Sequence, residues 1–306
     1  MDQFNVYKDM KARTNGEIYI GVVGPVRTGK STFIKRFMNL MVLPNIEDEN
    51  DRNRANDELP QSSSGKTIMT TEPKFVPNEA VSIKTEEGIE LNVRLIDCVG
   101  YMVEGATGHM EGEEERLVKT PWFDYEIPFT KAAAIGTKKV ITEHSTIGVV
   151  VTCDGSFGEI AAKQYEPAEE ETIKQLKALK KPFVVLLNTI HPYSESTKQL
   201  AAEKEEKYQT KVLPMNLEQM KKEDIYEIIK SVLMEFPISS IGFYVPRWTE
   251  MLKKDHPLKM ELLQMARDVI TEKTTMRDIY EEQEKEYEYI TGQKLESVAM
   301  DSGEVV

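Results

Sequence analysis

The sequence predicts an α/β fold, a doubly wound and mostly parallel sheet, with a mainly helical or mixed segment at its C-terminal end. Three observations carry this. Gly24-Pro25-Val26-Arg27-Thr28-Gly29-Lys30-Ser31 fits a Gly, four free positions, then Gly-Lys-Ser, set between the apolar run Ile18–Val23 and a helical pattern over Ser31–Val42. Apolar, β-branched runs then alternate with amphipathic stretches as far as Phe236, as strands covered on both faces do. The run Leu95-Ile96-Asp97 is followed by Gly100, the second half of a phosphate-loop nucleotide signature.

Residues 2–14 read as a short leading helix. Ile18–Val23 reads as a buried strand, and Phe33, Ile34, Phe37, Met38 and Met41 recur at helical spacing after the loop. Pro44 to Pro60 is a long polar connection, extended by Gln61 to Pro73. Phe75–Lys84 and Ile89–Ile96 form a hairpin through Glu86-Glu87-Gly88. Residues 101–128 read as irregular, a second switch segment or a solvated acidic face. A helix follows over 129–144, a strand over Thr146–Thr152, and a charged helix over Glu166–Leu179. Then come a strand over Pro182–Asn188, a helix over Ser194–Tyr208, a short strand over Lys211–Met215 and a long helix over Glu218–Phe236. The pattern changes after Pro237. Trp248–Tyr289 reads as mostly helical, so the expected domains are 1–236 and 237–306.

Composition narrows the function. The chain has 306 residues, 40% of them hydrophobic, and a net charge of −13, which argues against nonspecific nucleic-acid binding. No run approaches the roughly 18 apolar residues of a membrane span, and Met1–Thr14 lacks the apolar centre of a signal peptide. Cys98 and Cys153 lie in or beside apolar runs and read as buried thiols; they and the four His show no zinc spacing.

The chemistry follows from the loop. Gly24 and Gly29 allow the backbone to approach an anion, and the N–H groups of the loop and first helical turn, within Gly24–Thr32, can point at one anion. Lys30 would reach the β- and γ-phosphates, while the Ser31 hydroxyl would ligate Mg²⁺. Asp97 would hold the same ion through water, and the Gly100 N–H would sense the γ-phosphate. Thr70 and Thr71, just before the second strand, are the candidate γ-phosphate sensors, with Thr71 a further Mg²⁺ ligand. Guanine-specific relatives of this class end the fifth strand in Asn-Lys-x-Asp. Here Asn188-Thr189-Ile190-His191 keeps the Asn but has no carboxylate, so adenine is allowed.

Arg27 has two readings. It resembles the loop arginine of guanylate-binding and atlastin-like GTPases, which acts in cis on the transferring phosphoryl group. Otherwise it faces solvent and pairs with an acid such as Asp48 or Asp57. Lys66 is a rival source of that charge.

Five stretches together resemble the stage IV sporulation protein A family: 21–35, 57–62, 65–78, 97–101 and 143–150. The resemblance covers essentially the whole chain. It implies a GTPase-like phosphate-loop domain turned to ATP, with Lys30, Asp97, Thr70 and Thr71 matching the family's nucleotide, magnesium and sensor residues. It implies hydrolysis coupled to a homopolymer, the basement layer of the spore coat. That layer lies in the mother-cell cytoplasm, peripheral to the forespore outer membrane. Other coat morphogenetic proteins and a small amphipathic membrane peptide are its implied partners. They bind a C-terminal region beyond residue 306 that this chain lacks. The competing expectations are a GTP switch and a non-catalytic module stabilised by nucleotide.

Overall fold

The computed structural model describes residues 6–60, 72–84, 90–111, 114–158, 160–280, 286–290 and 294–306. Helix α1 (Val6–Arg13) leads into strand β1 (Glu17–Val23), and α2 (Lys30–Phe37) follows the phosphate loop. A π turn over Met38–Val42 carries α2 onward, close to the length its apolar spacing predicts. Next come α3 (Glu49–Asp57), β2 (Lys74–Lys84), β3 (Glu90–Asp97), β4 (Met110–Glu111), β5 (Glu114–Glu115), β6 (Leu117–Thr120) and β7 (Phe123–Pro128). The remainder is α4 (Phe129–Lys139), β8 (Ile147–Cys153), α5 (Ala162–Ala178), β9 (Phe183–Asn188), α6 (Glu195–Tyr208), β10 (Val212–Met215), α7 (Lys222–Met234), β11 (Ser240–Ile241), α8 (Pro257–Glu272), β12 (Val298–Ala299) and β13 (Glu304–Val305).

Among the described residues the main sheet has the order β10-β9-β8-β1-β3-β2. Every pairing in it is parallel except β2 with β3. Apolar residues of β8 and β9 point both ways, because both sheet faces are covered. One face packs Phe33, Ile34 and Phe37 of α2 with Ile225, Ile228 and Val232 of α7. The other packs Ile173 and Leu176 of α5 with Ala201 and Tyr208 of α6. Right-handed crossovers between parallel strands leave the strand ends and their loops along one rim, where such sheets take ligands.

Four expectations are corrected. The polar connection from Pro44 contains α3, capped by the Asp48 carboxylate, which accepts from the Asp51 N–H at 2.9 Å. Only Ala55 of α3 is buried, so the helix has no apolar stripe to read. Residues 101–128 are not irregular throughout: β4 pairs with β5 and β6 with β7 as short antiparallel ribbons. Helix α5 starts four residues earlier than expected and carries Pro167 within it. Among the described residues of 248–289 there is one α-helix, α8, flanked by 3₁₀ turns over Arg247–Met251 and Asp278–Tyr280. The expected turn at 86–88 lies outside the described residues, although the antiparallel pairing it implies is present.

The segment after 237 packs on the same core. Met276, Met300 and Val305 belong to the apolar cluster that holds Met10 and Leu233. Arg13 of α1 ties it down, donating from Nε to the Met300 carbonyl at 2.9 Å and from Nη2 to the Pro237 carbonyl at 3.2 Å. Its guanidinium stands 5.5 Å from the Phe236 ring centroid.

Candidate functional site

Three strand ends meet at one rim. β1 delivers the phosphate loop, β3 delivers Asp97, and β9 delivers Asn188. The loop is fixed from both sides. The Val26 N–H donates to the Tyr101 carbonyl at 2.9 Å, and the Val26 side chain packs with Val103, Ala106, Cys153, Ile160 and Tyr165. The Thr28 hydroxyl donates to the Pro25 carbonyl at 3.0 Å. Thr32 lies in the first turn of α2.

Two glycines are dictated by space as well as by angle. Gly29 has φ 102, and a β-carbon there would lie 2.7 Å from Asn188 Nδ2. Gly100 has φ 94, and a β-carbon there would lie 2.1 Å from the Gly24 carbonyl oxygen and 2.6 Å from Lys30 Nζ. Gly100 therefore stands directly against the phosphate loop.

Lys30 is buried, and its ammonium donates to the carbonyls of Pro25 and, at 3.4 Å, Gly24. Burial lowers its pKa, and the neighbouring Asp97 carboxyl group opposes that shift. Asp97 shows the mirror image: burial raises its pKa, while Lys30 and the Ser31 hydroxyl pull it down. Ser31 Oγ donates to Asp97 Oδ2 at 3.2 Å, and Asp97 Oδ1 is buried with no hydrogen-bond partner. An orphaned carboxylate oxygen beside a hydroxyl is a donor set suited to a hard, oxygen-seeking cation such as Mg²⁺. These residues fit the ion. Cys98 and Cys153 are buried free thiols, and burial pushes Cys98 up to about 11, which leaves it inert.

Asn188 is 6% exposed. Its Nδ2 donates to the Thr28 carbonyl at 3.0 Å and its Oδ1 accepts from the Leu217 N–H at 3.3 Å, so it joins the phosphate loop to the turn after β10. Thr189 is buried, its hydroxyl accepting from the exposed His191 N–H at 3.1 Å. Arg27 is exposed, has φ 62, and donates from Nη2 to Thr107 Oγ1 at 3.1 Å. Thr70, Thr71 and Lys66 lie outside the described residues. Thr107 and Leu217 are absent from the sequence-derived site. Leu217 had a usable signal, since it follows the end of a strand at the same rim; Thr107 had none.

No helix among the described residues is long and apolar enough to cross a membrane. Residues 1–237 match the family model described as Stage IV sporulation protein A, ATPase domain, and residues 238–306 match that of the same family's middle domain. Proteins named Stage IV sporulation protein A are similar along most of the chain. That of Bacillus anthracis is 47% identical over 305 residues, covering 99% of this chain and 62% of its own length. That of Clostridioides difficile strain 630 is 54% identical over 275 residues, covering 90% and 56%. The chain thus spans about 62% of the Bacillus anthracis relative. Among solved structures, a complex of SsGBP with GDP has a TM-score of 0.39 at 13% identity, covering 71% of this chain and 49% of that one. The fold assignment rests on the strand order and the family match. With the two domain models together matching residues 1–306, the chain belongs to the stage IV sporulation protein A family.

Proposed function

We propose that this chain is a Mg²⁺-dependent ATP hydrolase whose turnover drives self-assembly of the spore coat basement layer. The convergence of Lys30, Ser31 and Asp97, with Asp97 Oδ1 buried and unpartnered beside the Ser31 hydroxyl, is the observation that carries this reading. The match to an ATPase domain supports nucleotide hydrolysis.

The residues divide the work. The free backbone N–H groups within Gly24–Thr32 bind the phosphates, Pro25 having none and that of Val26 being taken by the Tyr101 carbonyl, and Lys30 neutralises the β- and γ-phosphates. Ser31, Asp97 and Thr71 hold the cation, which when bound supplies charge neutralisation at the phosphate oxygens. Thr70, Thr71 and the Gly100 N–H sense the γ-phosphate, and Arg27 stabilises charge developing on the transferring group. Asn188 holds the loop to the base-binding end. An exposed His191 in place of a carboxylate supports adenine over guanine, whose N–H donors would lack an acceptor there.

Residues 1–236 form the catalytic domain and 237–306 begin a middle domain. The working place is the mother-cell cytoplasm, at the forespore outer membrane surface. The homopolymer, other coat morphogenetic proteins and a small amphipathic membrane peptide complete the set of partners.

Phosphate release measured with ATP and with GTP, each with Mg²⁺ and with chelator, tests the reading. ATP turnover that needs Mg²⁺ and is lost in Lys30→Ala is expected. A strong preference for GTP overturns the base assignment, and binding without phosphate release overturns hydrolysis. Thr70→Ala with Thr71→Ala should keep binding and slow turnover; lost binding would make both residues structural.

A further inference from the structure

The left-handed backbone at Arg27 is unusual for a residue with a β-carbon and sits inside the phosphate loop. It aims the side chain at the segment that follows β3, where Nη2 reaches Thr107 Oγ1 at 3.1 Å. That segment is anchored to the same loop. Pro25 bridges Tyr101, Val26 packs on Val103 and Ala106, and the Ala106 N–H donates to the Val103 carbonyl at 3.0 Å. Thr107 follows directly on this buried Ala106 and is itself exposed. Its hydroxyl is therefore an exposed acceptor on a loop pinned by buried neighbours.

A long arginine side chain loses rate advantage when it samples many rotamers, because charge stabilisation requires a preorganised donor. We propose that Thr107 is a positioning residue: its hydroxyl oxygen accepts from Arg27 and sets where the guanidinium stands over the transferring phosphoryl group. This rests on the assignment of Arg27 to the phosphoryl charge. Thr107 touches no phosphate; it acts through Arg27. It also makes the placement of that charge depend on the segment leading away from Asp97, so a shift of that segment moves the guanidinium.

Steady-state turnover of ATP with Mg²⁺ by the full chain tests this in Arg27→Ala, Thr107→Ala, Thr107→Ser and the double Arg27→Ala/Thr107→Ala variant. Arg27→Ala should lower kcat about tenfold or more with KM nearly unchanged. Thr107→Ala should lower kcat about fivefold, again with KM nearly unchanged, and Thr107→Ser should restore most of it. In the double variant the Thr107 change should add less than about twofold to the loss from Arg27→Ala. An unchanged kcat in Arg27→Ala defeats the assignment of Arg27 itself. A slow Arg27→Ala beside an unaffected or faster Thr107→Ala defeats the positioning role alone. So does a Thr107→Ala loss that persists undiminished in the Arg27→Ala background, or a Thr107→Ser that fails to recover.

Discussion

Asn188 Nδ2 donates to the Thr28 carbonyl at 3.0 Å while its Oδ1 accepts from the Leu217 N–H, so one side chain at the end of β9 sets the height of the phosphate loop. Removing it leaves a buried carbonyl and a buried N–H unsatisfied. Asn188→Ala should cost about 2 kcal/mol of unfolding free energy. It should also weaken nucleotide affinity, because the loop loses its preorganisation. Denaturant unfolding and nucleotide titration of the variant check both; an unchanged affinity would mean the loop needs no bracket.

Burial, the largest cause, raises the pKa of Asp97 and disfavours its charged form, against the pull of Lys30 and the Ser31 hydroxyl. Asp97→Asn keeps the shape and removes that charge. The ligand-free variant should stay folded with a small shift in melting temperature, relief of a disfavoured carboxylate being set against the loss of a neighbouring charge for buried Lys30, while Mg²⁺-dependent turnover falls at least about a hundredfold. Calorimetry paired with phosphate release is the measurement. A large drop in melting temperature would assign Asp97 to the fold rather than to the cation.

Behind the sheet, Glu169 of α5 is fully buried, accepts from the Thr152 hydroxyl, and pairs with Lys204 of α6 at 2.6 Å. A buried pair broken on one side strands the other charge. Glu169→Leu and Lys204→Met should each destabilise the chain, by about 3 kcal/mol for the former. Restoring an apolar match with Glu169→Leu/Lys204→Met should recover much of the loss. Chemical denaturation of the three variants shows whether the pair is coupled; simple additivity would say it is not.

Asp278 gives a pH test. Burial raises its pKa, but the N–H groups of Thr275 and Thr274, at 2.7 and 2.9 Å, outweigh that and leave it below the ordinary aspartate value. A carboxylate with a lowered folded-state pKa adds stability above its unfolded value and loses it as pH falls through the folded one. Asp278→Ala should therefore cost about 1 kcal/mol near neutral pH, and the gap to the parent should close in the acid range. Melting curves over that range decide it, and a gap independent of pH would refute the account.

The succession of strands and helices and the mostly parallel class of the sheet were legible because they follow from one pattern: apolar runs long enough to be buried, punctuated by turn residues. Lys30, Ser31, Asp97 and Gly100 are set by spacing along the chain, and the fold brings them together. Helix α3 was hidden because its stability comes from a cap and its own charged pairs rather than a core face. The ribbons in 101–128 were hidden because pairing between very short strands is decided by what they meet, not by their own alternation.

The sequence by itself determined the candidate chemistry of this protein: a phosphate-loop pattern, an aspartate at the end of β3, and a strand end at Asn188–His191 without a carboxylate. Tertiary structure alone decided which distant groups hold that chemistry in place. The pairing of Thr28 with Asn188 spans 160 residues and that of Arg27 with Thr107 spans 80. Contacts of that reach depend on the crossing of strands and the packing of both sheet faces, and local spacing carries no record of either.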